Sequence, residues 1–137
     1  MNHITDLCNF LDLSPVNFWA VETVRQRLET AGFRQLDMRD EWVLTPGDKR
    51  YVVQNGSAIF AFVVGSGDVA SGFNIIAAHS DSPGFRIKPR CEIACEGMVK
   101  LNTEVYGGPI LYTWFDRPLS IAGRVAPVSY THLTLPT

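Results

Sequence analysis

The residues best suited to chemistry gather in Ala77-Ala78-His79-Ser80-Asp81-Ser82-Pro83-Gly84, where an apolar run ends on a histidine and an aspartate follows two positions later. A neutral imidazole is a good zinc ligand, but its ring must be fixed in tautomer and direction by a hydrogen bond from its other nitrogen. In extended backbone, residues i and i+2 project to the same side, so the Asp81 carboxylate is within reach of His79 and can supply that bond. The same triplet has a blander use, as a strand-end histidine satisfied by a local aspartate in a turn that Ser82-Pro83-Gly84 completes. Spacing leaves both open.

The element that must position His79 is Phe73-Asn74-Ile75-Ile76-Ala77-Ala78, which reads as a continuous apolar strand. Such strands are buried on both faces, as in the middle of an α/β sheet, and the carboxyl ends of those strands are where ligands collect. Upstream, Ser14-Pro15 is a helix-start signal, with serine as the N-cap and proline preset for the first turn. Val21, Val24, Leu28 and Ala31 recur at helical spacing and Gly32 stands at the C-cap, which predicts an amphipathic helix over Pro15–Ala31. Phe18 and Trp19 are read as core residues without a functional role.

From Trp42 the period changes to that of strands, at Trp42–Leu44, Arg50–Gln54 and Ser57–Val64. Asn55-Gly56 between the last two predicts a hairpin with a type I′ turn. Further strands are expected at Phe85–Pro89, Met98–Glu104, Ile110–Trp114 and Leu119–Val125, with a composition shift near Pro89 where the chain leaves one domain for another. Gly65, Gly67 and Gly72 lack the spacing of a phosphate-binding loop.

The chain has 137 residues, 12 Lys+Arg against 14 Asp+Glu, and 46% hydrophobic positions. That length allows one domain or less. A net charge of −2 with interspersed signs gives no footprint for nucleic acid or an anionic membrane. No apolar run approaches the roughly 20 residues of a bilayer span, and Met1-Asn2-His3 does not begin a signal peptide, so a cytoplasmic location is expected. Cys8, Cys91 and Cys95 are read as reduced thiols, since the interval from Cys91 to Cys95 does not match a zinc knuckle or a redox pair. Residues 128–137 carry no charge and resemble one reading frame of a sequencing adaptor; they are expected to be an assembly scar.

Three ordered blocks carry a resemblance. Ala77–Pro89, Leu101–Gly108 and Thr113–Val125 resemble segments of the aspartyl aminopeptidase family, a group of dizinc aminopeptidases, and the match runs from about Asp12 to Val125. The resemblance implies that His79 is a zinc ligand and that Asp81 is the catalytic-site carboxylate bracing its imidazole. It implies an α/β fold: residues 1–90 as the N-terminal part of an α/β/α catalytic domain, and 91–127 as the start of an inserted β-rich dimerisation domain. It further implies a pair of zinc ions per subunit, peptide substrates with N-terminal Asp or Glu, and a homo-oligomer. The remaining ligands and the proton-shuttling glutamate would lie beyond Thr137, making this an N-terminal piece that is inactive alone. Trp19 departs from the histidine that members often carry there. Glu104 and the pair Asp116-Arg117 are read as structural, and Tyr106-Gly107-Gly108 as a tight turn. Two rivals remain: a glutamyl or deblocking dizinc aminopeptidase, and a non-catalytic α/β domain without metal.

Overall fold

In the computed structural model, residues 2–68 and 72–125 are described. Two helices open the chain. The first, α1 (His3–Asp12), starts where the Asn2 side chain accepts a hydrogen bond from the Ile4 amide at 3.1 Å, an N-cap the sequence analysis did not read. The second, α2 (Asn17–Thr30), buries Ala20, Val21 and Thr23, and the chain leaves it through Gly32 at φ +86. It begins later than the expected Pro15. Its N-cap is Val16 with no side-chain bond, while the Ser14 hydroxyl turns to Thr23 Oγ1 at 3.4 Å. Arg27 joins the helices, with its guanidinium bonded to both Asp6 carboxylate oxygens at 3.0 Å and lying 5.2 Å from the Phe10 ring centroid.

A three-stranded sheet follows, in the order β1 (Arg34–Gln35), β2 (Lys49–Gln54), β3 (Ala58–Val63), with β1 parallel and β3 antiparallel to β2. The β2–β3 hairpin is as expected, with Asn55 and Gly56 both at positive φ (54° and 69°), the geometry of a type I′ turn. Alternation puts Tyr51 on the face toward α2, where its hydroxyl donates to Glu29 Oε1 at 2.7 Å, and Val52 on the other. Tyr51 is fully buried, and with Ala20, Val21 and Val52 it makes up the buried apolar core among the described residues. Trp42–Leu44 forms no strand; Trp42 instead stacks on Phe62 at 6.3 Å and donates Nε1–H to the Asp37 carbonyl at 2.7 Å.

Arg25 ties α2 together through Glu22 (Nε to Oε2 2.7 Å, Nη2 to Oε1 2.5 Å) and Glu29 (Nη1 to Oε1 2.7 Å). The hydrogen bonds from Arg25 lower the Glu22 carboxyl from the usual 4.5 to about 2. A carboxyl depressed in the folded state stabilises it above its unfolded pKa, and that contribution fades as pH falls through the folded value. Glu22→Gln is therefore expected to flatten the decline of urea midpoints between pH 4.5 and about 2. An unchanged decline would exclude Glu22 as its source.

A long hairpin completes the described structure: β4 (Gly84–Cys95) antiparallel to β5 (Met98–Tyr106) around Glu96-Gly97, both at positive φ. It contains the expected strands Phe85–Pro89 and Met98–Glu104 and extends both. The ladder is offset between Ile87 and Glu92, so that Lys88–Cys91 faces only Asn102, with Arg90 at φ 54. Leu111–Trp114 is a 3-10 helix rather than a strand, closed by the Thr113 hydroxyl donating to the Ile110 carbonyl at 2.7 Å. Leu119–Val125 forms no strand, and residues 128–137 lie outside the described residues.

The largest departure is Phe73–Ala78. It is neither a strand nor buried: Phe73, Ile75 and Ile76 are exposed, Ile76 completely. The apolar run needs a neighbour on each edge and cover on each face, and no described strand pairs with it. Trp19 is likewise half exposed, contrary to its reading as core, while Phe18 lies under the Arg124 guanidinium at 4.4 Å. Ile4, Leu7 and Leu11 of α1 and Phe60 of β3 also face outward. Apolar exposure on this scale marks surfaces that need a partner. The 137-residue chain alone is expected to bind ANS and to self-associate. A monodisperse monomer with a cooperative thermal transition would contradict this.

Candidate metal-ligand turn

His79 stands at the end of the extended run Phe73–Ala78, on a segment fastened to the three-stranded sheet by the Ser80 hydroxyl, which donates to the Ser57 carbonyl at 2.8 Å. Proline at position 83 keeps Ser82 extended, and Gly84 starts β4. The site residues are thus held between the exit of one hairpin turn and the base of another.

The structure brings His79 and Asp81 together as the spacing expects. His79 Nδ1 lies 3.2 Å from Asp81 Oδ1 and 3.0 Å from the Asp81 carbonyl oxygen. An ionised carboxylate and a carbonyl are acceptors only, so Nδ1 carries the proton, and the neutral ring has its lone pair on Nε2. The His79 side chain is 82% exposed, which leaves Nε2 open to a ligand. This tautomer and orientation suit an imidazole that binds a metal through Nε2.

Sequence reasoning missed Tyr106. It stands at the last position of β5, paired with Gly84, and its hydroxyl donates a short hydrogen bond to Asp81 Oδ2. That bond, ahead of the His79 contact, holds the Asp81 carboxyl below its usual range, and Asp81 in turn holds the Tyr106 phenol above its own. The Arg86 guanidinium lies 3.8 Å from the Tyr106 ring centroid. Directly after it, Gly107 adopts φ +72, and a Cβ there would sit 3.4 Å from Pro83. The chain bends at Gly107 without a turn hydrogen bond, and the tyrosine before it belongs with His79 and Asp81. The signal was an aromatic residue with a hydroxyl just before a glycine pair, without a partner in sequence to reveal it.

Other expectations separate from the site. Arg117 donates to the Thr113 carbonyl at 3.0 Å, a local structural contact. Trp114 meets Phe85 edge-on at 5.1 Å and packs near Gly84, supporting the base of β4. Cys8, Cys91 and Cys95 are free thiols. Among the described residues, no group of three or more His, Cys, Asp or Glu could hold a metal ion, so the donor set fits one ligand position and not a whole centre. No helix among the described residues is long and apolar enough to cross a membrane.

The chain is 53% identical over 122 residues to "Probable M18 family aminopeptidase 2" of Clostridium novyi (strain NT), covering 88% of this chain and 28% of that protein. It is 46% identical over 122 residues to the protein of that name from Pseudomonas putida (strain GB-1), with the same coverage. The chain thus spans little more than a quarter of the curated relatives it matches. Its fold matches a chain in the cryo-EM structure of the Ape4 and Nbr1 complex (TM-score 0.78, 36% identity, 82% of this chain and 22% of that one). It also matches Chaetomium thermophilum mApe1 (TM-score 0.76, 36% identity, 82% of this chain and 26% of that one). The family model described as aminopeptidase I zinc metalloprotease (M18) matches residues 10–131, and the chain belongs to that family of aminopeptidases.

Proposed function

We propose that the protein containing this chain removes the N-terminal residue from peptides, with preference for Asp or Glu, at a centre of two zinc ions to which His79 contributes one bond. The observation that carries this reading is the bond from His79 Nδ1 to Asp81, which leaves an exposed imidazole with Nε2 free, in a chain of a zinc metalloprotease family. Zinc bound there would polarise a peptide carbonyl and bring the pKa of a bound water toward neutrality.

This chain's own contribution is positional. Asp81 fixes the tautomer and ring direction of His79 by accepting the Nδ1 proton's hydrogen bond. Ser80 anchors the same turn to Ser57, so the imidazole is presented from a fixed backbone rather than from a free loop. The remaining ligands and the proton-transferring glutamate belong, on this reading, to the part of the relatives' length that this chain does not span, and the chain alone is inactive. Residues 1–90 are the N-terminal part of the catalytic domain and 91–127 the start of an inserted dimerisation domain, through which a cytoplasmic homo-oligomer assembles.

The test is to purify the full-length protein, measure zinc per subunit, and compare hydrolysis of peptides beginning with Asp, Glu, Ala and Leu. Two zinc ions and faster turnover of the acidic substrates are expected. Equal rates on Leu would reject the substrate preference, and a metal-free active protein would reject the zinc centre.

A further inference from the structure

Asp81 divides its two oxygens. Oδ1 takes the His79 Nδ1 contact at 3.2 Å, and Oδ2 takes the Tyr106 hydroxyl. Asp81 is 40% exposed on its side chain, so without a second bond its carboxylate would be free to rotate and trade His79 for water. Tyr106 removes that freedom. The phenol reaches Asp81 across 25 residues of sequence, delivered by the pairing of Gly84 with Tyr106 at the base of the β4–β5 hairpin. Its ring is held in turn by Arg86 on the same hairpin, 3.8 Å from the centroid, and the chain behind it is pressed against Pro83 by Gly107. The contacts run in one series, from Arg86 to Tyr106 to Asp81 to His79.

We propose that Tyr106 is a positioning residue for the metal-binding imidazole, acting through Asp81. The proposal rests on the reading of His79 as a zinc ligand. It makes the base of the β4–β5 hairpin part of the metal centre's support, so that the last residue of β5 reaches back to order a ligand in the segment before β4.

The full-length protein tests this, with zinc affinity measured by competition against a chromophoric chelator. Tyr106→Phe keeps the ring and the Arg86 stack and removes only the hydroxyl. Partners that orient a ligand typically change metal affinity by about 10–100-fold, and Tyr106→Phe is expected near the lower end, about 10-fold, with kcat lowered, KM unchanged and the urea midpoint unmoved. In an Asp81→Ala background the same substitution should cost nothing more, since its only route to His79 is gone. The inference is overturned if Tyr106→Phe binds zinc like the wild type while His79→Ala does not, or if the Tyr106 and Asp81 losses simply add. Wild-type zinc affinity in His79→Ala would instead overturn the ligand reading itself, and the inference with it.

Discussion

His79→Ala in the full-length protein is expected to abolish hydrolysis of a peptide with N-terminal Asp and to lower zinc content. Metal polarisation contributes several kcal/mol to the transition state, and each 1.36 kcal/mol is tenfold in rate, so the loss should reach at least about 1,000-fold. Asp81→Asn should fall less far. It keeps an oxygen acceptor but loses the charge that favours the Nδ1–H tautomer, and a loss of about 10–100-fold in zinc affinity is expected. Steady-state kinetics and metal analysis on the two variants check the order. Wild-type turnover in His79→Ala would defeat the assignment of this imidazole.

Tyr51→Ala is expected to have the largest effect on the fold. Tyr51 is the fully buried large side chain between α2 and the three-stranded sheet, and removing a buried aromatic ring typically costs about 3–5 kcal/mol. It also strips Glu29 of the phenol that, more than Arg25, holds its carboxyl low. Tyr51→Phe separates the two effects, keeping the ring and losing only the 2.7 Å bond to Glu29, at about 1 kcal/mol because Glu29 is partly exposed. Urea unfolding followed by far-UV circular dichroism reads both, and equal midpoints for the two variants would show that the ring's burial does not anchor this layer.

The sequence was most informative where local chemistry decides the outcome. Asn55-Gly56 dictates its turn because both residues tolerate positive φ, and Gly32 closes α2 for the same reason. The His79–Asp81 contact was legible because the partners stand only two positions apart, although the chain bends at Ser80 rather than running extended between them. Burial of Phe73–Ala78 was not, because a central strand is made by its neighbours, and none of the described strands lies beside it. Helix α1 escaped notice since its start signal is a single asparagine, although Ile4, Leu7 and Leu11 do recur at helical spacing. Tyr106 was invisible for a different reason: its role depends on strand register, which fixes a contact over a long separation that no short motif encodes. Trp42 shows propensity losing to packing, its β-prone neighbourhood giving way to a stack on Phe62.

The offset at Arg90 divides the long hairpin into two ladders, one from Gly84 to Ile87 against Thr103 to Tyr106, the other from Glu92 to Cys95 against Met98 to Leu101. A slip of one residue in the inner ladder would swing the phenol to the opposite side of the ribbon. The bulged stretch Lys88–Cys91, within β4 and facing the lone Asn102, separates the two ladders, so that the outer one can gain, lose or exchange residues without that slip being transmitted inward. The tip of the ribbon is thereby insulated, and can diverge to suit a different neighbour while the phenol keeps its address.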